Sequence, residues 1–164
     1  MASRLTHTVT VDFPVTRYWE IVSTEQYWRD MLEAINSSHG ALESFTVDGD
    51  TITVELAQGV PEDRLPSMIT SVRPGDLHIT RRNSYTRTAD GITGTFTAAI
   101  VGAPAKVDGA LAASGDPARV DYTAEVAVSV PFLGGKIEKA IIEQLVDLLD
   151  SERDHIAEWA KAHQ

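Results

Sequence analysis

A chain of 164 residues, 43% hydrophobic and 23% charged, fits one globular domain spanning 1–164, able to bury roughly two-thirds of the surface it exposes when unfolded. Its formal net charge of −10 opposes nucleic acid and anionic membranes, and no stretch approaches the roughly 18 apolar residues of a spanning helix. The absence of cysteine excludes disulfide frameworks and thiol chemistry, and the opening MASRLTHTV lacks the apolar core of a signal peptide, so a cytoplasmic location is expected.

Leu5, His7, Val9 and Val11 alternate with Thr6, Thr8, Thr10 and Asp12, the period of a strand with one covered face. The period then changes. Asp12-Phe13-Pro14 reads as a helix entry, and Val15, Tyr18, Trp19 and Val22 follow at helical spacing to about Ser23. Ser23 and Gln26 have capping-box spacing, and Tyr27, Trp28, Met31, Leu32 and Ile35 form a second apolar stripe that stops before Gly40. The sequon Asn36-Ser37-Ser38 is read as chance without a secretion signal.

Phe45 and Val47, the turn Asp48-Gly49-Asp50, and then Ile52, Val54 and Leu56 predict a hairpin. Alternation lapses from Gln58 to Gly75, where Leu65, Met68, Ile69 and Val72 have helical spacing, so a loop with one or two helical turns is expected. Four more strands are predicted over Leu77–Arg87, Ile92–Val101, Lys106–Ser114 and Val120–Val130, parted by Asp90-Gly91, Gly102-Ala103-Pro104 and Gly115-Asp116-Pro117. Such short connections require antiparallel neighbours.

After Pro131 and Gly134-Gly135 comes a long amphipathic helix, Gly135 to about Ala162, roughly 40 Å in length. Ile141, Ile142, Leu145, Leu148, Leu149, Ile156 and Trp159 form its apolar stripe, with Asp147, Asp150, Asp154 and Glu158 opposite. A twisted antiparallel sheet buries one apolar face by curving around such a rod. Because the sheet curves and the rod does not, an internal cavity is expected.

This order resembles the helix-grip superfamily of START, polyketide-cyclase and Bet v 1-like proteins, and the opening VTVDFPVTRYWEIVSTEQYW is similar to that superfamily's entry. More narrowly, VPFLGGKIEKAIIEQL and GAPAKVDGAL resemble the actinobacterial family DUF2505. The resemblance implies an α+β helix-grip fold: a seven-stranded curved antiparallel sheet wrapped around a long C-terminal helix, with two short helices after strand one. It also implies a hydrophobic ligand, of lipid, fatty acyl, isoprenoid or polyketide type, between helix and sheet. It transfers no catalytic residue, since fold does not fix function.

Polar side chains interrupt the inward rows at Arg81 and Asn83, beside Leu77, Ile79 and Tyr85; at Glu43, beside Phe45 and Val47; and at His7. Glu152 lies among the apolar residues of the long helix. An unpaired buried charge costs several kcal/mol, roughly, so such groups should be paired or placed at a wet cavity, and Glu152 with Arg81 is the first expected pair. The competing account is a twist or bulge that shifts the row by one residue and carries each group to solvent. Glu138, in the helix's first turn, is read as serving the helix dipole. Trp19, Trp28 and Trp159 are read as core, and the helix aspartates as solvated surface.

Metal binding has little support: Glu152 and His155 make a single Glu-x-x-His step where a di-metal bundle needs two copies and two more glutamates, and His7, His39, His78 and His163 have no ligand spacing. Gly134-Gly135-Lys136 lacks the rest of a P-loop, and neither G-x-G-x-x-G nor G-x-S-x-G occurs. The expected ligand-binding set is Arg81, Asn83, Tyr85, Glu152, Glu43, His7, Phe96, Ile141, Leu145, Leu148 and Leu149, with no catalytic residue, metal or cofactor. The expected partner is a hydrophobic small molecule, with no nucleic acid and no integral membrane segment, on a monomer or weak homodimer. A cyclase or aromatase using the same cavity, with proton transfer at Glu152, Arg81, His7 or Tyr85, is the first alternative. An interaction module with a solid core is the second.

Overall fold

The alternation at the N-terminus forms strand β1, Ala2–Thr10, and the helical spacing that follows forms α1, Val15–Val22, and α2, Glu25–Asn36, in a computed structural model that describes residues 2–36, 40–65, 67–72 and 74–163. Ser37 and Ser38 of the sequon, and His39, lie outside the described residues. The expected capping box does not form. Ser23 ends α1 and its hydroxyl donates to the Trp19 carbonyl at 2.5 Å, while Gln26 donates to Asp30 at 2.7 Å.

Six further strands follow: β2 Ala41–Asp48, β3 Thr51–Val60, β4 Leu77–Arg87, β5 Gly91–Ile100, β6 Ala105–Ser114 and β7 Arg119–Val128. Between β3 and β4 lie a single 3₁₀ turn, Glu62–Arg64, and α3, Ser67–Val72, in the segment expected to hold helical turns. The expected loop start at Gln58 is corrected: β3 runs on to Val60, and Gln58 pairs with Ile79 of β4. Gln58 hid that continuation because an amide stands where Ile52, Val54 and Leu56 lead one to expect a fourth apolar residue.

The seven strands make one antiparallel sheet in the order β1-β7-β6-β5-β4-β3-β2. Strands β2 to β7 are joined to their spatial neighbours, whereas β1 and β2 sit at opposite edges and are linked through α1 and α2. Gly49, with φ of 61°, supplies the left-handed position that the β2–β3 turn needs.

The C-terminal helix α4, Gly134–Ala162, is 29 residues and so about 43 Å long. It lies closest to β1, β7 and α2. Leu149, Ile156 and Trp159 are buried beneath it, and Trp159 Nε1 donates to Asp30 of α2 at 2.8 Å. Burying a side chain such as Leu149, 2% exposed, stabilises the fold by about 1.5–3 kcal/mol. The reading of Glu138 as a first-turn residue is corrected, because α4 begins at Gly134 and its first turn holds no acidic residue. Glu138 is 2% exposed, accepting from Ser3 Oγ at 2.6 Å and from the Val128 amide at 2.9 Å, which ties the start of α4 to both β1 and β7. Those two bonds hold its carboxyl below the ordinary glutamate value. Among the described residues, no helix is long and apolar enough to cross a membrane.

Candidate functional site: a cavity under the C-terminal helix

Where α4 leaves β1 and β7, a cavity of about 580 Å³ opens between the helix, β3 to β6 and the α3 segment. The stripe residues Ile141, Leu145 and Leu148 form its roof. Its floor is the inward row of β5, Phe96, Ala98 and Ile100, with Ile79 of β4 and Val107 of β6 beside it. Leu65 and Ile69 close one side. Phe96 can lie flat because its partner across the ladder is Gly109, where an added Cβ would stand 2.2 Å from the ring. Exposed Arg64, Lys106 and Asp147 border the mouth.

The buried polar part of the wall is Arg81, 8% exposed, and Gln58, 5% exposed. Arg81 meets Glu152 of α4 as a fork: Nη1 donates to Oε2 at 2.5 Å and Nη2 to Oε1 at 3.0 Å. Its Nε donates to Asn83 Oδ1 at 3.0 Å, and Asn83 passes the chain on through Nδ2 to the Tyr85 hydroxyl at 2.9 Å. Burial opposes the guanidinium's charge, but the Glu152 carboxylate more than offsets it, so Arg81 titrates above its ordinary value. The pairing expected between Glu152 and Arg81 forms, although of the two only Arg81 lines the large cavity.

Glu152 and Tyr85 do not line the large cavity. They border a separate void of about 10 Å³, on the order of one water, together with Tyr18, Tyr27 and Tyr122. Burial pushes all four phenols above their ordinary value of 10.0, so each stays neutral across the physiological range. Trp28 also borders this void, and its indole donates to the Val22 carbonyl at 2.9 Å.

Of the expected set, Arg81, Phe96, Ile141, Leu145 and Leu148 come together on the cavity wall. Asn83, 1% exposed, stands behind Arg81 as its orienting partner, and Leu149 is buried core. Like Glu152 and Tyr85, Glu43 and His7 are placed away from the cavity. Glu43 is exposed because a bulge between Leu42 and Ser44 rotates it off the inner row. His7 does face inward beside Leu5 and Val9, but it lies under α4 rather than in the cavity, with Nε2 donating to Asp150 at 2.8 Å. Asp150 is accordingly a partner of His7, whereas the sequence reading left it on the solvated face. Gln58 was missed. Its place two residues beyond Leu56 in the row Ile52, Val54, Leu56 was the signal available.

His155 is half-buried against Tyr27, ring centroids 5.7 Å apart, and burial lowers its pKa below the ordinary value. Among the described residues, no three side chains of His, Cys, Asp or Glu converge as a metal site would require.

Similarities to known proteins agree with this architecture. Residues 6–160 match the family described as "Protein of unknown function (DUF2505)". An uncharacterized protein of Mycobacterium tuberculosis is 32% identical over 143 residues, covering 81% of this chain and 82% of the relative, and one of Mycobacterium bovis is equally similar. Among solved structures, the Zhui aromatase/cyclase from a Streptomyces species is similar with a TM-score of 0.57 at 13% identity, over 98% of this chain and 94% of that one. A START superfamily protein from Mycobacterium smegmatis gives 0.52 at 12% identity, over 98% and 99%. At such identities the structural likeness establishes the fold, which is the helix-grip fold of START and polyketide-cyclase proteins. With the family match spanning nearly its whole length, the chain is a member of the DUF2505 family.

Proposed function

We propose that this protein binds a hydrophobic small molecule, of lipid, acyl, isoprenoid or polyketide type, in the cavity beneath α4. The observation that carries the reading is an aliphatic and aromatic chamber of about 580 Å³ whose buried polar groups, among the described residues, are Arg81 and Gln58. That size is within the few hundred to about 1,000 Å³ of small-molecule sites, and affinity would come from removing hydrocarbon from water at about 25 cal/mol per Å². A chamber of this volume opposes the reading of an interaction module with a solid core.

The named activity of the Zhui neighbour raises a cyclase reading for the same chamber. Acid–base catalysis needs a titrating group within reach of substrate. Here Glu152 borders the small void, clamped by Arg81, while Tyr85 is buried and neutral. Binding without chemistry is thus the better-supported function. Native mass spectrometry of the gently purified protein, followed by solvent extraction, tests it: a mass excess released as an apolar molecule supports binding. Apo mass together with no uptake of the neutral dye N-phenyl-1-naphthylamine refutes it.

A further inference from the structure

The amide of Gln58 has an orientation that its neighbour dictates. Arg81 Nη1 approaches Gln58 Oε1 at 3.4 Å, and a guanidinium has only donors, so the amide oxygen must face it and the NH₂ must turn away. Turned away, Nε2 has no hydrogen-bond partner and is itself buried, so a small swing of the amide toward the cavity that its residue lines is what brings it to a bound molecule. A buried donor left unmade forfeits the hydrogen bond it had in water, which gives a bound molecule an incentive to supply an acceptor there.

The charge beside it is already spent. Four contacts occupy four of the five N–H donors of Arg81: two to Glu152, one to Asn83 and one to Gln58. Its positive charge is matched by one carboxylate at bidentate distance. A second carboxylate brought to this wall would find no net positive charge and would lie near Glu152, so it would be buried uncompensated. The exposed Arg64 and Lys106 border the mouth, where exposed Asp147 also lies and where a charge would remain in water.

We infer that the buried end of the cavity selects a neutral hydrogen-bond acceptor, the carbonyl oxygen of a ketone, ester or amide on a hydrocarbon body, by donation from Gln58 Nε2, and discriminates against a free carboxylate. This rests on the binding function proposed above and specifies its ligand class. Gln58 acts as a specificity-determining residue, with Arg81 and Glu152 as the groups that position it.

The test is displacement of N-phenyl-1-naphthylamine from the full-length protein by three probes of matched length: 2-tridecanone, dodecanoate at about pH 8, and tridecane. One added neutral hydrogen bond corresponds to about a tenfold gain in affinity, so 2-tridecanone should displace the dye at about tenfold lower concentration than tridecane, and dodecanoate should be weaker than the ketone. Gln58→Leu should bring the displacing concentrations of 2-tridecanone and tridecane, both measured on that variant, to the same value. Should that variant fail to fold, Gln58→Met, close to glutamine in length and shape and without an amide donor, is expected to erase the advantage equally. Equal displacement by ketone and alkane, stronger displacement by dodecanoate, or a ketone advantage that survives loss of the amide would overturn the inference while leaving the cavity reading intact. No dye uptake at all would instead defeat the binding function itself.

Discussion

Removing one partner of the Arg81–Glu152 pair tests whether the polar wall is as dry as its geometry indicates. The side chains are 7% and 12% exposed, so the large discount that solvent applies to surface pairs does not operate. Glu152→Leu leaves the Arg81 guanidinium buried, with Asn83 and Gln58 as neutral acceptors only, and the expected cost is about 3–5 kcal/mol. For a domain whose whole stability is on the order of 5–15 kcal/mol, that is a large fraction. At a denaturant slope of about 2 kcal/mol per M, the urea midpoint should fall by about 2 M with the slope unchanged. The double variant Arg81→Met with Glu152→Leu removes the stranded charge. It still leaves Asn83 and Gln58 short of a donor, so it should be more stable than Glu152→Leu alone but short of wild type. A single-variant loss below about 1 kcal/mol, typical of exposed pairs, would show the wall to be wet, as would a double variant less stable than the single.

Other consequences are equally concrete. Leu145→Asp puts an unpaired carboxylate in the cavity roof and should abolish uptake of N-phenyl-1-naphthylamine in a protein that circular dichroism shows folded; unchanged uptake would place the binding space elsewhere. Gly109→Ala drives a methyl group to 2.2 Å from Phe96 and should cost about 1–3 kcal/mol by urea titration while weakening dye binding, because the ring must move toward the chamber. Glu138 has a folded pKa depressed by Ser3 and the Val128 amide, so its stabilisation is present above its ordinary value of 4.5 and is lost as pH falls through the lower folded value. Between about pH 5 and about pH 3, Glu138→Gln should lose less stability than wild type, and parallel losses would contradict the assignment.

Much of the fold was legible because its signals are local. The period-two rows of β4 to β7 and the three- and four-residue steps of α4 each report a single covered face, and the turn residues between strands leave only antiparallel neighbours. The Arg81–Glu152 contact was legible for a related reason: each charge breaks an apolar row, and two opposite charges under one helix have a common remedy. What escaped the sequence depends on tertiary detail. The bulge at Leu42/Ser44 moves Glu43 by one position, and nothing in the local residue types announces it. Asp150 lies on the flank of α4 and is turned from a surface group into a partner of His7 by the approach of β1, which helical spacing alone does not report. Counted from the expected helix start at Gly135, Glu138 satisfied the dipole rule and so needed no further explanation until Ser3 and Val128 were seen to meet it. Gln58 was polar at the end of a strand, where a loop also reads as polar, and only the pairing with Ile79 places it on the cavity wall.

The most direct measurement of the central claim is a fluorescence titration of N-phenyl-1-naphthylamine against wild type and Ala98→Trp. Ala98 lies on the cavity floor between Phe96 and Ile100, so an indole there should fill the chamber that the dye requires. The account predicts saturable uptake at one site per chain in wild type, and its loss in a variant that remains folded. Identical titrations of the two proteins would contradict it.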